Sequence, residues 1–96
     1  MLPLDPQTGA LFLRLLEIVQ TLRSPGGCPW DREQTQATIA PYLVEEAHEV
    51  QEAIEAGDRA GLCEELGDVL LEVALLSQMA REEDGFTAAD SLRAIC

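Results

Sequence analysis

The sequence predicts an all-α protein, and three observations support this fold class. Of the 96 residues, 47% are hydrophobic but only 4% are aromatic, a composition that suits packed helices better than a sheet sandwich. Apolar side chains recur at helical spacing in three long stretches, and turn-forming residues separate the stretches near positions 24–29, 57–58 and 84–85. We expect a helical hairpin with flanking helices, forming a four-helix-bundle-type core that dimerisation or higher assembly completes.

The first helix is predicted over residues 10–23, after a loose lead-in at residues 1–9 that contains two prolines and a glycine. Its apolar residues keep helical spacing, and further apolar positions widen the stripe. The series consists of Leu11, Leu15, Ile18 and Leu22, widened by Phe12, Leu16 and Val19. So wide an apolar surface predicts a helix that is buried on two sides, partly in a subunit interface.

Residues 24–29 (Ser-Pro-Gly-Gly-Cys-Pro) end this helix, and the only tryptophan, Trp30, follows in the predicted loop. The glycines could cradle phosphate, but the segment lacks the lysine of a Walker-type loop. Trp30 is either a plug in the core or a platform on which a base stacks. Arg32, and more remotely Arg23, are the cations available near the loop, with a solvated surface role as the alternative.

Three further helices complete the predicted single domain, residues 1–96. The second starts at Thr38 or nearby, with Pro41 in its first turn, and runs to about residue 56. The third covers about residues 59–83 and is apolar almost all round, which predicts a central position in the bundle. Thr87 and Asp90 fit a capping box that opens a fourth helix, and that helix stops early, at residue 96.

Two acidic pairs lie symmetrically about the turn at Gly57. Glu46 and Glu49 precede the turn, and Glu65 and Asp68 follow it. Residues three apart lie on one side of a helix, one turn apart. If the helices fold back antiparallel, residues whose numbers sum to about 114 lie at the same height, so the four carboxylates should meet in one patch.

Such a patch needs a cation, because each close pair of like charges repels by ~4 kcal/mol at an effective dielectric near 20. Oxygen ligands without paired His or Cys favour Mg²⁺, or Mn²⁺ in its place, over zinc. Mg²⁺ often completes its shell with phosphate oxygens, which points to a diphosphate or triphosphate ligand. One alternative is that these acids are solvated residues beside an apolar stripe. Another is a di-iron site, but this needs a second Glu-x-x-His motif and His48 is the only histidine. We expect His48 itself to lie at the surface.

The charge balance excludes several classes of partner. Six arginines, no lysine and eighteen acidic residues give a net charge of −12, which repels nucleic acids and anionic membranes. Cys28, Cys63 and Cys96 are irregularly spaced and fit free, partly buried thiols in a reducing compartment. No leader and no apolar run near 18 residues is evident, so we expect a soluble, cytoplasmic protein.

Three segments resemble the MazG-like nucleoside triphosphate pyrophosphohydrolases of the all-α NTP pyrophosphatase superfamily, and the similarity spans roughly residues 11–92. They are residues 22–31 (Leu-Arg-Ser-Pro-Gly-Gly-Cys-Pro-Trp-Asp) with Gln34-Thr35 after them, residues 38–42 leading into Glu45-Glu46-x-x-Glu49, and residues 64–68 (Glu-Glu-Leu-Gly-Asp). The acidic pairs are shared across the superfamily. The Cys-Pro-Trp-Asp loop is what indicates the MazG branch.

The resemblance implies helical protomers that form a homodimer or homotetramer, and Mg²⁺-dependent hydrolysis of a nucleoside triphosphate to a monophosphate and pyrophosphate. It also suggests the clearing of non-standard nucleotides. By position, the resemblance implies that the metal ligands are Glu46, Glu49, Glu65 and Asp68, with Glu45 and Glu64 as auxiliary acids. The general base is left open among Glu45, Glu46 and Glu49. The nucleotide contacts that it implies are Trp30, Asp31 and Arg32.

Two departures from the family pattern leave other functions open. Longer members continue into a basic, histidine-containing stretch that this sequence lacks, and many members carry two such domains. The chain is therefore a minimal enzyme, a fragment or a weakened relative. A non-catalytic helical assembly or nucleotide-binding module that retains the scaffold is one alternative, and a protomer that works only with a second polypeptide is another. The preferred base and sugar do not follow from the sequence.

Overall fold

The computed structural model describes residues 1–96, all of its regular structure is helical, and it contains five helices. They are α1 (Thr8–Arg23), α2 (Pro29–Glu33), α3 (Gln36–Ala56), α4 (Arg59–Glu82) and α5 (Ala88–Ile95). The predicted all-α class is confirmed. The chain divides into two compact units, residues 1–33 with α1 and α2, and residues 34–96 with the other three helices.

In the first unit, α1 begins two residues earlier than predicted. The backbone carbonyl of Asp5 accepts hydrogen bonds from the N–H of Thr8 at 3.2 Å and from its hydroxyl at 2.8 Å, which starts the helix before Gly9. Val19 is fully buried, whereas Leu11 and Ile18 are 57% and 45% exposed. A single chain therefore does not bury α1 on two sides, and the interface part of that expectation stays a prediction.

The short helix α2 is the one element that sequence reasoning missed. Proline at its first position needs no partner for a backbone N–H and has a suitable φ angle, so Pro29 can open a helix directly after the glycines. The Cys28 carbonyl accepts from the Arg32 N–H at 3.0 Å. Trp30, on this helix, is 50% exposed, so its interpretation as a core plug was wrong.

In the second unit, α3 and α4 pack against each other as the predicted hairpin. Gly57 ends α3 in the left-handed conformation, with φ of 67°, and Asp58 caps α4 by accepting from the Gly61 N–H at 2.9 Å. The start of α3 differs from the prediction, because Thr35 and Thr38 form a capping box that begins the helix at residue 36. Pro41 consequently lies past the first turn rather than in it.

The buried side chains of this unit lie at the end of the hairpin away from Gly57. They are Ile39 of α3 and Ala74, Leu75, Ser77, Met79 and Ala80 of α4, with Ala88 of α5. In the half of α4 nearer the turn, Leu66 and Leu70 are 47% and 48% exposed, and Val73, just past the middle of the helix, is 37% exposed. The expected central burial of α4 is therefore limited to its C-terminal half, and an apolar stripe remains exposed near the turn.

The last helix, α5, begins as predicted. Thr87 and Asp90 form the expected capping box, in which the Thr87 N–H donates to an Asp90 carboxylate oxygen at 2.9 Å. The helix contacts α4. None of the five helices combines the length and the apolar character that a membrane crossing requires.

Candidate metal centre

The hairpin brings together three of the four acidic residues singled out in the sequence. One carboxylate oxygen from each of Glu46, Glu49 and Glu65 lies within 4.8 Å of the others, and all three side chains are half-buried. Glu46 and Glu49 share a face of α3 because they are three residues apart, and α4 carries Glu65 opposite them because the chain reverses at Gly57. We call these three residues the acidic triad.

Two oxygens of the triad are withdrawn from water without a compensating hydrogen bond. Glu46 Oε2 and Glu65 Oε2 are both inaccessible to solvent and have no hydrogen-bond partner. A buried carboxylate oxygen without a partner is costly, so native structures nearly always pair such atoms with a donor or an ion. The two atoms therefore make the space between α3 and α4 a candidate site for a ligand.

The pKa values of all three triad residues are raised above their ordinary value. Desolvation is the main cause of the raised pKa of Glu46; contact with the Glu65 carboxyl lowers this pKa, and the charges of Glu49 and Asp68 raise it further. The pKa of Glu49 is raised first by its contact with the Glu65 carboxyl and then by that group's charge. For Glu65 the contact with Glu49 lowers the pKa, but contact with Glu46, desolvation and the charges of Glu46 and Asp68 together outweigh it and raise the pKa.

The remaining predicted acidic residues lie at the margin of the triad. Asp68 is exposed and does not join the three close oxygens, although its charge acts on both Glu46 and Glu65. Glu45 is exposed, and its charge contributes to the raised pKa of Glu49. Glu64 is exposed and is not part of the triad.

A further acid, Glu72, belongs to the same side of α4 and was missed in the sequence. Its Oε2 is inaccessible and without a partner, and its pKa is raised by desolvation and by the charge of Asp68. The signal was present in the spacing, because Glu65, Asp68 and Glu72 follow one another at intervals of three and four residues. The hydrophobic environment of residues 69–76 obscured it, since a single acid in an apolar run looks like an isolated surface position.

An open groove of about 390 Å³ extends from the triad toward the turn. Small residues give it space, and acidic residues give it its charge. Its lining consists of Glu49, Glu52, Ala53, Ala56, Asp58, Gly61 and Glu65. A bare phosphate chain would be repelled by these carboxylates, so a phosphate ligand would enter only together with cations.

The donors of the triad fit a hard divalent cation. All are carboxylate oxygens, one from each residue lies within 4.8 Å of the others, and Glu46 Oε2 and Glu65 Oε2 have no hydrogen-bond partner. Mg²⁺ and Mn²⁺ prefer such oxygen donors, whereas Zn²⁺ sites are usually built from Cys and His. His48 is exposed, as predicted, and the three cysteines are free, so neither residue type supplies a softer site here.

The predicted nucleotide-contact residues lie on α2 in the first unit. Trp30 and Arg32 are exposed, and Asp31 is half-buried. The Arg23 guanidinium donates from Nη1 to the backbone carbonyl of Asp31 at 2.5 Å. The structure therefore presents an aromatic face and a cation to solvent, and it fixes the helix that bears them.

Comparison with known proteins connects this geometry to a family. Residues 34–96, which include the triad, match the family model for the MazG nucleotide pyrophosphohydrolase domain. The chain is 47% identical over 89 residues to a Thermotoga maritima protein named nucleoside triphosphate pyrophosphohydrolase/pyrophosphatase MazG, a match that covers 93% of this chain and 35% of that protein. It is 54% identical over 83 residues to the nucleoside triphosphate pyrophosphohydrolase of Escherichia coli K12, a match that covers 85% of this chain and 32% of that protein.

A more distant relative is the nucleoside triphosphate pyrophosphohydrolase of Mycobacterium tuberculosis, which is 35% identical over 88 residues, covering 90% of this chain and 26% of that protein. The chain thus spans about a third of the length of the Thermotoga maritima and Escherichia coli relatives. The family match covers well over half of the chain and contains the whole α3–α4 hairpin. This chain belongs to the MazG nucleotide pyrophosphohydrolase family.

Proposed function

We propose that this protein is a Mg²⁺-dependent nucleoside triphosphate pyrophosphohydrolase, which converts an NTP and water to an NMP and pyrophosphate. The observation behind the proposal is the acidic triad, with its two solvent-inaccessible oxygens that have no partner. The family supports the same reaction class. Because the named relatives are about three times as long as this chain, their activity is an expectation for it and not an inherited fact.

The acidic residues of the hairpin would hold the metal. Glu46, Glu49 and Glu65 would supply the converging oxygens, and Asp68, whose charge acts on both Glu46 and Glu65, would complete the set from the margin. When bound, Mg²⁺, or Mn²⁺ in its place, would offset the charge of the phosphates and of the transition state. The carboxylates themselves orient the ligand because their helices hold them rigidly in one patch.

Hydrolysis also requires a group that accepts a proton from water. As water attacks phosphorus, the bond between the α and β phosphates breaks, pyrophosphate leaves, and the water's proton moves to a base. Glu45, Glu46 and Glu49 are the candidates. We favour Glu45, because it lies next to the triad in the chain and close enough to affect Glu49, yet it is not one of the converging ligands.

Substrate recognition would come from α2. Trp30 offers an exposed ring on which a base can stack, and the Arg32 charge can attract phosphate. Asp31, which is half-buried, would accept a hydrogen bond from the nucleotide. We propose that substrates include non-standard nucleotides of the cytoplasmic pool, so that the protein removes them before polymerases use them.

We further propose a homodimer or homotetramer, because a subunit interface would bury the exposed apolar stripe of α4, which consists of Leu66, Leu70 and Val73. The same stripe is the specific observation in favour of the second candidate function, a non-catalytic assembly or nucleotide-binding module. That module would bind nucleotide stoichiometrically without releasing pyrophosphate. Light scattering coupled to size exclusion reports the oligomeric state, and turnover separates the two functions.

The deciding experiment measures pyrophosphate release from a panel of NTPs and dNTPs, with and without Mg²⁺. We expect Glu49→Gln and Asp68→Asn to lose at least ~10²-fold in turnover while keeping native helicity, because each removes charge from the metal set. Glu55→Gln, an exposed acid on α3 outside the triad, is the matched control and should retain activity. Unchanged turnover in either Glu49→Gln or Asp68→Asn would refute the assignment of the metal ligands.

A further inference from the structure

The structure assigns a positioning role to Arg23, which fixes α2 so that Trp30 is held in place for nucleotide binding. The inference rests on the proposed function, since it deepens the part that α2 has in it. Arg23 is the last residue of α1, and Asp31 lies in the middle of α2. The connection between them is the hydrogen bond from Arg23 Nη1 to the Asp31 carbonyl oxygen.

This hydrogen bond supplies what a five-residue helix lacks. Such a helix has too few internal hydrogen bonds to be stable alone, and its last carbonyls have no partner within the helix. A guanidinium that donates to one of these carbonyls satisfies it with a charged donor, which gives a stronger hydrogen bond than a neutral group. Arg23 is half-buried, so its guanidinium is less exposed to competition from water than a surface arginine would be.

A second contact holds the same segment to the end of α1. The Cys28 N–H donates to the Leu22 carbonyl at 2.9 Å, and the chain passes so close there that a Cβ at Gly27 would come under 3.0 Å from the Thr21 and Leu22 carbonyl oxygens. This backbone contact fixes where α2 begins. The Arg23 hydrogen bond acts three residues further on and fixes the direction of the helix that carries Trp30.

Trp30 is half exposed, and the backbone is held on either side of it, at Cys28 and at Asp31. An exposed tryptophan on a flexible segment would lose conformational entropy when a base stacks on it, whereas one on a fixed helix has lost that entropy already. Arg23 therefore acts on affinity through Trp30 and does not need to touch the nucleotide. Its loss should raise KM much more than it lowers kcat.

The test uses the full chain and Trp30 as the probe, because it is the only tryptophan. Arg23→Met keeps the length of the side chain but removes the donors, and Arg14→Met, an exposed arginine on the same helix, is the matched control. For Arg23→Met we expect a red-shifted Trp30 emission and stronger acrylamide quenching in the free protein. We also expect ATP with Mg²⁺ to show at least a five-fold higher midpoint in fluorescence titration and KM, with kcat within two-fold.

Arg14→Met should match the original protein in every readout. If Arg23→Met loses helicity, Arg23→Lys is tested in its place. Lysine keeps the charge and the helix propensity but lacks the planar fork of donors. We expect the same shifts in emission, quenching and titration midpoint, but smaller. Unchanged emission, quenching and titration midpoint in the folded variant would overturn the inference. If no protein releases pyrophosphate, the proposed function fails, while emission and quenching still decide whether Arg23 positions Trp30.

Discussion

At the scale of single residues, the informative atoms are Glu46 Oε2 and Glu65 Oε2. Acidic side chains on a helical surface are common and usually solvated, so the presence of Glu46, Glu49 and Glu65 in the sequence does not by itself define a site. Two of their oxygens, however, are excluded from water without a donor. That state costs free energy in the folded protein unless a cation relieves it, which favours a ligand-binding role for the triad.

Glu45 and Glu49 can be separated by experiment, because the proposal gives them different tasks. Glu45→Gln should reduce turnover by ~10²–10⁴-fold, the usual contribution of a general base, while Mn²⁺ affinity measured by electron paramagnetic resonance stays within about three-fold. Glu49→Gln should weaken Mn²⁺ binding as well as turnover. If Glu45→Gln weakens Mn²⁺ binding as much as Glu49→Gln does, Glu45 is a ligand, and the base must be sought elsewhere.

At the scale of helices, the turn at Gly57 and Asp58 determines which acids meet. The chain reversal was predictable from two residues, since a left-handed glycine and an N-capping aspartate have strong positional preferences. The meeting of Glu49 with Glu65 followed from counting residues on either side of it. The position of Asp68 at the margin did not, because its side-chain direction depends on the rotation of α4 against α3, which a residue count does not specify.

Other errors of sequence reasoning share a physical cause. Helix α2 is shorter than any periodicity can reveal, and a hydrogen bond between Arg23 and a distant carbonyl leaves no local signal. The exposure of Leu70 near the turn was missed because the apolar pattern of α4 shows which residues could be buried, not how many neighbours are available to bury them. Capping residues were the better guides, since a cap acts over three residues.

The cap of α4 gives a prediction at this scale. Asp58→Ala removes the acceptor of the Gly61 N–H, and we expect a loss of about 1 kcal/mol in unfolding free energy, measured by urea denaturation. The groove also loses one negative charge, which reduces its repulsion of phosphate. We therefore do not expect the affinity for nucleotide to fall by more than the smaller fraction of folded protein accounts for. Asp58→Asn keeps a capping acceptor and should be nearly neutral. Equal losses in the two variants would show that the charge, and not the cap, is responsible.

At the scale of the whole molecule, the net charge of −12 and the triad both destabilise the folded protein. Self-repulsion destabilises a compact acidic chain, and a site that concentrates carboxylates adds to this locally. A divalent cation bound at the triad would relieve both effects. At a concentration of about 100 times its Kd, it would raise the free energy of unfolding by about 2.7 kcal/mol, provided that it binds only the folded protein.

This coupling predicts how stability depends on pH. The pKa values of Glu46, Glu49, Glu65 and Glu72 are raised above the ordinary 4.5, so each binds a proton more tightly in the folded than in the unfolded protein. The stability from these protons is fully present below 4.5 and is lost as pH rises through the raised values. The pKa of Asp90 is lowered from 3.8, so its opposite effect falls below that range.

In EDTA we therefore expect the unfolding temperature to rise as pH falls through the raised pKa values toward 4.5, which is the reverse of ordinary acid denaturation. Saturating Mg²⁺ should raise the unfolding temperature most at pH values well above the raised pKa values, and less as pH falls toward 4.5, because protons then compete for the same oxygens. Glu49→Gln removes one of the repelling charges and should flatten the EDTA profile, whereas Glu55→Gln, outside the triad, should follow the original protein more closely. If Glu49→Gln changes the dependence of the unfolding temperature on pH in EDTA no more than Glu55→Gln does, the pH effect comes from the net charge and not from the triad.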